Sequence, residues 1–172
     1  MRRDRAGFLA AVVFQLVCLA LVPAGRLGAW MGGEAITLQT APIDPYDVLA
    51  GYFVTLHYDV ERGARSQLEG LEDGPVWLVL AQAEPAWQLS KIDDAPLEAG
   101  PDEVVLRGRL RHGNLRLRQI SRFYVPEVER AEVESALRET ETPPLVDLRV
   151  GSDGSALVLG LRVGDRRFGD GR

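Results

Sequence analysis

The stretch EVVLRGRLRHGNLRLRQI, Glu103 to Ile120, reads as a β-hairpin, and that reading decides the class of fold. Val104, Leu106 and Leu110 share one face at the period of two expected of a half-buried strand. His112, Gly113 and Asn114 supply the turn, and Leu115 and Leu117 resume the apolar face on the return. The opposite face is equally regular: Arg107, Arg109 and Arg111 lie on the way out, and Arg116 and Arg118 join them across the turn. Such a basic face suits lipid head groups, an anionic glycan or an acidic partner. The plainer reading, preferred at this level, is a solvated face whose arginines pair with neighbouring Asp and Glu side chains.

The same grammar recurs on both sides of this hairpin. VWLVLA, Val76 to Ala81, is continuously apolar and predicts a strand buried on both faces, with a turn at Glu84-Pro85 leading into Trp87, Leu89 and Ile92. VDLRVGSDGSALVLGLRV turns at Gly151-Ser152-Asp153-Gly154 between Leu148/Val150 and Leu157/Leu159/Leu161/Val163. One helix is expected after Pro126, with Glu127, Glu129, Glu132 and Glu134 near its positive end and Pro143-Pro144 closing the segment. Its stripe of Val133, Ala136 and Leu137 is narrow, which predicts a surface helix laid on the sheet. Gly63 to Gly74 is polar and glycine-bounded, and reads as a mobile loop with a helical turn at Ser66 to Leu71. The expected fold is mainly β, a small antiparallel sandwich or partly closed barrel of eight or so strands with one surface helix.

Ahead of this domain stands MRRDRAGFLAAVVFQLVCLALVPAGRLGAW. Arg2, Arg3 and Arg5 precede an apolar run from Ala6 to Val22 that only Gln15 interrupts. As a helix the run spans about 25 Å, at the short end of what crosses a bilayer. An uncleaved transmembrane anchor is favoured over a signal peptide cut after Ala24. Either way the arginine-rich flank stays in the cytoplasm. The expected division is therefore residues 1–30 as anchor and short linker, and residues 31–172 as a periplasmic or extracellular domain on a single-pass inner-membrane protein. Cys18 is the only cysteine and lies within the run, so no intrachain disulfide supports the outer domain.

Charge and composition narrow the function. With 25 acidic against 20 basic residues the net charge is -5, which argues against a nucleic-acid binder. His57 and His112 have no ligand-like spacing to acidic residues, and neither a metal nor another cofactor is expected. There is no G-x-S-x-G elbow. Ser90 and Lys91, the only lysine, are sequence neighbours and point to opposite faces of a strand, which disfavours a Ser/Lys dyad. Asp59 and Glu127 are a conceivable acid/base pair that nothing local selects.

LAGYFVTLHYDV, Leu49 to Val60, carries the most informative pattern. Tyr52, Val54, Leu56, Tyr58 and Val60 alternate onto a core face, while Phe53, Thr55, His57 and Asp59 take the other. DPYDVLAGYFVTLHYDV resembles the signature of the GDYXXLXY family, a group of bacterial membrane-anchored proteins, and SRFYVPEVERAEVE resembles the family's second recurrent segment. Asp44, Pro45, Asp47, Gly51, Leu56 and Tyr58 match the first segment; Arg122, Phe123, Tyr124, Val125, Pro126 and Glu127 match the second. Where the family has Asp-Tyr after the glycine, this chain has Tyr52-Phe53. Tyrosine cannot replace a catalytic or metal-binding carboxylate, so the position is structural in the family or its activity is lost here. The resemblance implies location and fold class, no known reaction, and association with a membrane-protein partner. The motif residues are expected to be structural, with Gly51 at a bend and Arg122 and Glu127 either on the surface or clustered with Asp47 and Tyr58.

The leading expectation is an envelope domain that is not an enzyme and binds a partner or assists a membrane complex, with lipid contact through residues 6–22. The alternatives are an envelope hydrolase of signal-peptidase-like topology, and a ligand-binding β-barrel with a pocket lined by Tyr52, Tyr58, Trp77 or Trp87.

Overall fold

A computed structural model describes residues 11–19, 32–41, 53–140 and 142–169. Its domain is mainly β, and every pairing is antiparallel. The strands are β1 (Glu34–Gln39), β2 (Phe53–Thr55), β3 (Gly74–Ala81), β4 (Gln88–Asp93), β5 (Glu103–Arg111), β6 (Asn114–Arg116), β7 (Arg122–Tyr124), β8 (Leu145–Val150), β9 (Ala156–Val163) and β10 (Arg166–Phe168). Among the described residues of the domain, α1 (Asp59–Gly63) and α2 (Arg130–Glu139) accompany them. One four-stranded sheet runs β1-β8-β9-β10, a second runs β4-β3-β5-β6, and β2 and β7 form a two-stranded sheet.

The hairpins are those the alternation predicts: β3–β4, β5–β6 and β8–β9. Val104, Leu106, Leu110, Leu115 and Leu117 are all buried. Gly108 interrupts this row because a Cβ there would lie 2.9 Å from Leu115 and 3.0 Å from Leu78, so the strand packs on its neighbours only with no side chain at that point. At the closing hairpin one expectation fails. A bulge between Asp147 and Leu148 pairs Leu148 with Val158 and Asp147 with Gly160, which displaces Leu159 from the ladder. Leu161 and Val163 are buried, whereas Leu157 and Leu159 are only half-buried.

Backbone bonds close the two large sheets toward each other. The Trp87 N–H donates to the Thr37 carbonyl at 2.9 Å, linking the start of β4 to β1. The Arg107 N–H donates to the Gly154 carbonyl at 2.9 Å, so the β8–β9 turn docks on β5. Gln119 fastens the same corner: its amide donates to the carbonyls of Arg107 (2.9 Å) and Gly154 (3.2 Å), and its oxygen accepts the Ala156 N–H at 3.2 Å. The result fits the partly closed barrel better than two stacked sheets. One contiguous core fills it, from Ile36 and Leu38 through Leu78, Leu80 and Leu106 to Leu148, Leu161 and Phe168.

The Leu49–Val60 stretch is corrected in its second half. Val54, Leu56, Tyr58 and Val60 do face the core, but the ladder with β7 ends at Thr55 and α1 begins at Asp59. The cause is Glu61, whose carboxylate accepts the Tyr58 N–H at 3.3 Å, half of a capping box. The expected mobile loop also gains an anchor, since a 3₁₀ turn at Ala64–Gln67 buries Ala64 and Leu68. The helix after Pro126 begins with a 3₁₀ turn at Glu127–Glu129, and α2 buries Val133 and Ala136 as expected. Residues 11–19 are helical, and among the described residues no helix is long and apolar enough to cross a membrane. The expected anchor, residues 6–22, extends beyond those described, as do Asp44, Pro45, Asp47, Gly51 and Tyr52.

Candidate functional site

β2 and the residues that follow it are bonded to neighbours on both sides. Phe53 pairs with Tyr124, Val54 with Phe123 and Thr55 with Arg122, so the two recurrent segments are partners in one small sheet. Beyond β2 the Leu56 N–H donates to the Ser121 carbonyl at 2.9 Å, and the His57 carbonyl accepts the Ala41 N–H at 2.8 Å. The strand thus bridges β7 and the end of β1. Leu56 and Tyr58, 1% and 0% exposed, fill the core beneath it. The Tyr58 hydroxyl donates to the Ile120 carbonyl at 2.8 Å, and burial, helped by the Glu61 charge, raises its pKa well above the ordinary tyrosine value. Tyr58 is therefore not part of a surface cluster with Arg122 and Glu127, which are both exposed.

Above this core lies a groove of about 940 Å³. Phe53, Thr55 and His57 form one side. The other side is the β5–β6 hairpin and the 3₁₀ turn at its end, contributing Arg109, Arg111, Arg116 and Arg118, and Arg122 from β7 completes the lining. Arg109 and Arg116 are direct cross-strand partners. All five arginines are exposed. Of the arginines expected to pair with neighbouring acids, Arg107 lies beside Asp153, whereas among the described residues none of Arg109, Arg111, Arg116 and Arg118 enters an ion pair. Arg122 instead lies over the Phe53 ring, 4.9 Å from its centroid, and the Phe53 ring packs against Tyr124 at 6.0 Å.

The two carboxylates of the groove are already engaged. Glu61 takes the Leu117 N–H at 2.9 Å besides that of Tyr58, and it lies 3.6 Å from His57 Nδ1. β6 ends at Arg116, and Arg118 sits in a 3₁₀ turn. Asp73 accepts the His112 N–H at 2.9 Å where the turn takes a positive φ. Arg107 separates from the other four. It lies under the β8–β9 turn beside Asp153, whose pKa is lowered chiefly by the Ser155 hydroxyl bond and also by the Arg107 charge.

The other candidates are scattered. Ser90 and Lys91 are exposed on β4, and Lys91 is 3.4 Å from Asp93. Asp59 opens α1 and Glu127 lies in the turn before α2, and neither the groove nor the smaller clefts among the described residues are lined by both. Trp87 and Tyr58 belong to the packed core, while Trp77 lines an open cleft of about 570 Å³ with Glu34, Glu98, Glu103 and Asp153. No three His, Cys, Asp or Glu side chains among the described residues are grouped to hold a metal. Sequence reasoning missed that Arg122, Thr55 and His57 face the hairpin arginines; the alternation places Thr55 and His57 outward, but the partner across the groove is set by tertiary contact.

The family model described as GDYXXLXY protein matches residues 15–161. No curated protein and no solved structure matches the chain. With the two recurrent segments paired as β2 and β7 and most of the length matched, the chain belongs to the GDYXXLXY family.

Proposed function

We propose that this protein is a membrane-anchored, extracytoplasmic domain that binds a protein partner as an accessory to a membrane complex, without catalysing a reaction of its own. One observation carries the binding role: a concave surface lined by exposed arginines that enter no ion pair with a described acid, between the β5–β6 hairpin and the β2–β7 pair. A groove of this kind is poised for recognition, because guanidinium groups without partners are open to a carboxylate or another oxyanion. Supporting the anchor, Arg2, Arg3 and Arg5 precede the apolar run, and Val13, Phe14, Leu16, Val17 and Leu19 on the described helical residues are more than half exposed. Apolar side chains presented this way favour a lipid or protein environment over water. The arginine-rich flank gives the orientation, N-terminus in the cytoplasm and domain outside.

The test is extraction in a gentle detergent at native expression level, followed by purification through a C-terminal tag. A stoichiometric membrane protein should copurify. Recovery of the chain alone, from a membrane fraction in which it is intact, would remove the reading.

A further inference from the structure

We propose that the arginine groove takes an extended acidic peptide segment of the partner; this rests on the accessory-domain reading above and names the chemistry its partner must present. Three observations lead there. The first is the spacing of charge. On β5, Arg109 and Arg111 are two residues apart on one face, about 6.6–6.8 Å, which is also the separation of carboxylates on alternate residues of an extended chain. Arg116 stands opposite Arg109, so the row is two arginines wide there. The second is an unrelieved repulsion. Like charges directly opposite on a sheet are destabilising, as Arg109 and Arg116 are, and none of Arg109, Arg111, Arg116 and Arg118 enters an ion pair with a described acid. A bound carboxylate row would relieve what the free fold leaves uncompensated.

The third observation decides between classes of partner. The surface is an open groove of about 940 Å³, more than a single oxyanion fills, with room along its length for several residues of an extended chain. Glu69, Glu72 and Asp73 precede β3 on the loop that reaches the groove at Asp73, and Glu69 and Glu72 are exposed. A flat anionic bilayer would meet those acids as well as the arginines, on a chain of net charge -5. A narrow strand in the groove avoids Glu69 and Glu72, which do not line it, and meets only Asp73 and Glu61, whose carboxylates already accept backbone N–H groups. Thr55, Asn114 and Ser121 add neutral polar groups along the same lining, able to bond peptide carbonyls and amides.

The experiment uses the full chain in nonionic detergent and fluorescein-labelled hexaglutamate, read by anisotropy at low ionic strength. Hexaglutamate should bind, R109E/R116E should weaken it at least tenfold, and K91E/R130E, the same change of charge at sites outside the groove, should stay within twofold. If the double reversal does not fold, R111Q/R118Q should weaken binding at least threefold with an unchanged melting temperature. Absence of binding, or binding that neither groove variant alters, would overturn the proposal. So would groove-dependent capture of phosphatidylglycerol vesicles in place of hexaglutamate. Copurification of the native partner with R109E/R116E at the wild-type level would overturn the groove assignment and leave the accessory reading intact. Failure of the wild-type chain to retain any partner would remove both.

Discussion

Tyr58 shows how one family position acts through the core and not through chemistry at the surface. Its ring is fully buried, its hydroxyl donates to Ile120, and its own N–H is capped by Glu61. Tyr58→Phe keeps the ring but leaves the Ile120 carbonyl without that donor, which should cost about 1–3 kcal/mol in urea unfolding at neutral pH. The pH dependence supplies a finer check. Burial raises the folded-state pKa well above the ordinary value, so above about pH 10 the unfolded chain loses the proton while the folded chain keeps it. The folded state then binds more protons, and stability must fall as pH rises through that window. Wild type should therefore lose its advantage over Tyr58→Phe at alkaline pH, the other tyrosines contributing equally to both. A gap that stays constant from pH 8 to pH 11 would show that Tyr58 titrates normally and that its burial has been misread.

Among the elements, the β8–β9 turn is the joint on which partial closure depends. Gly154 has a φ of 76°, and a Cβ there would stand 2.6 Å from Cγ of Arg107. Gly154→Ala should cost upward of about 1 kcal/mol from the left-handed backbone alone, with the contact in addition. Truncating Arg107 to alanine should return part of that cost, because only the contact term depends on it, and a double-mutant cycle separates the two. Strict additivity would mean that the Arg107 side chain does not pack against the turn. This joint also marks where the sequence stops being legible. The hairpins could be read because each obeys a period of two and ends in turn residues, and Val104 to Leu117 follow that rule throughout. The bulge that displaces Leu159 leaves no local mark, since Leu157 to Val163 alternate as an unbroken strand would. Similarly, Val54 to Val60 keep the strand period into α1, and the only sign of the change is Glu61, a capping residue three positions after Tyr58. The arginine face was readable from spacing. Its concavity was not, because the pairing of β2 with β7 joins residues far apart in the chain, and it brings Arg122 over Phe53.

For the molecule as a whole, the distribution of charge along β5 is the fact that links stability to function. One end, at Glu103, borders a cleft with Glu34, Glu98 and Asp153; the other, at Arg109 and Arg111, opens into the arginine groove. An acidic chain that was shaped only for solubility would intersperse the two signs. Here Arg109 faces Arg116 across the ladder with no described acid between them, a local arrangement that works against folding. Arg116→Thr removes one of the two charges and installs a good strand former, so the free protein should become more stable by about 0.2–1 kcal/mol at low ionic strength. Most of that gain should vanish in 1 M salt, where the screening length falls to about 3 Å. The same substitution should weaken hexaglutamate binding. A rise in stability with a fall in affinity is the trade expected of a site held ready for a ligand. A merely solvated face makes the opposite prediction, a neutral change in melting temperature at every salt concentration, and thermal unfolding of the Arg116→Thr chain at low and high salt decides between them.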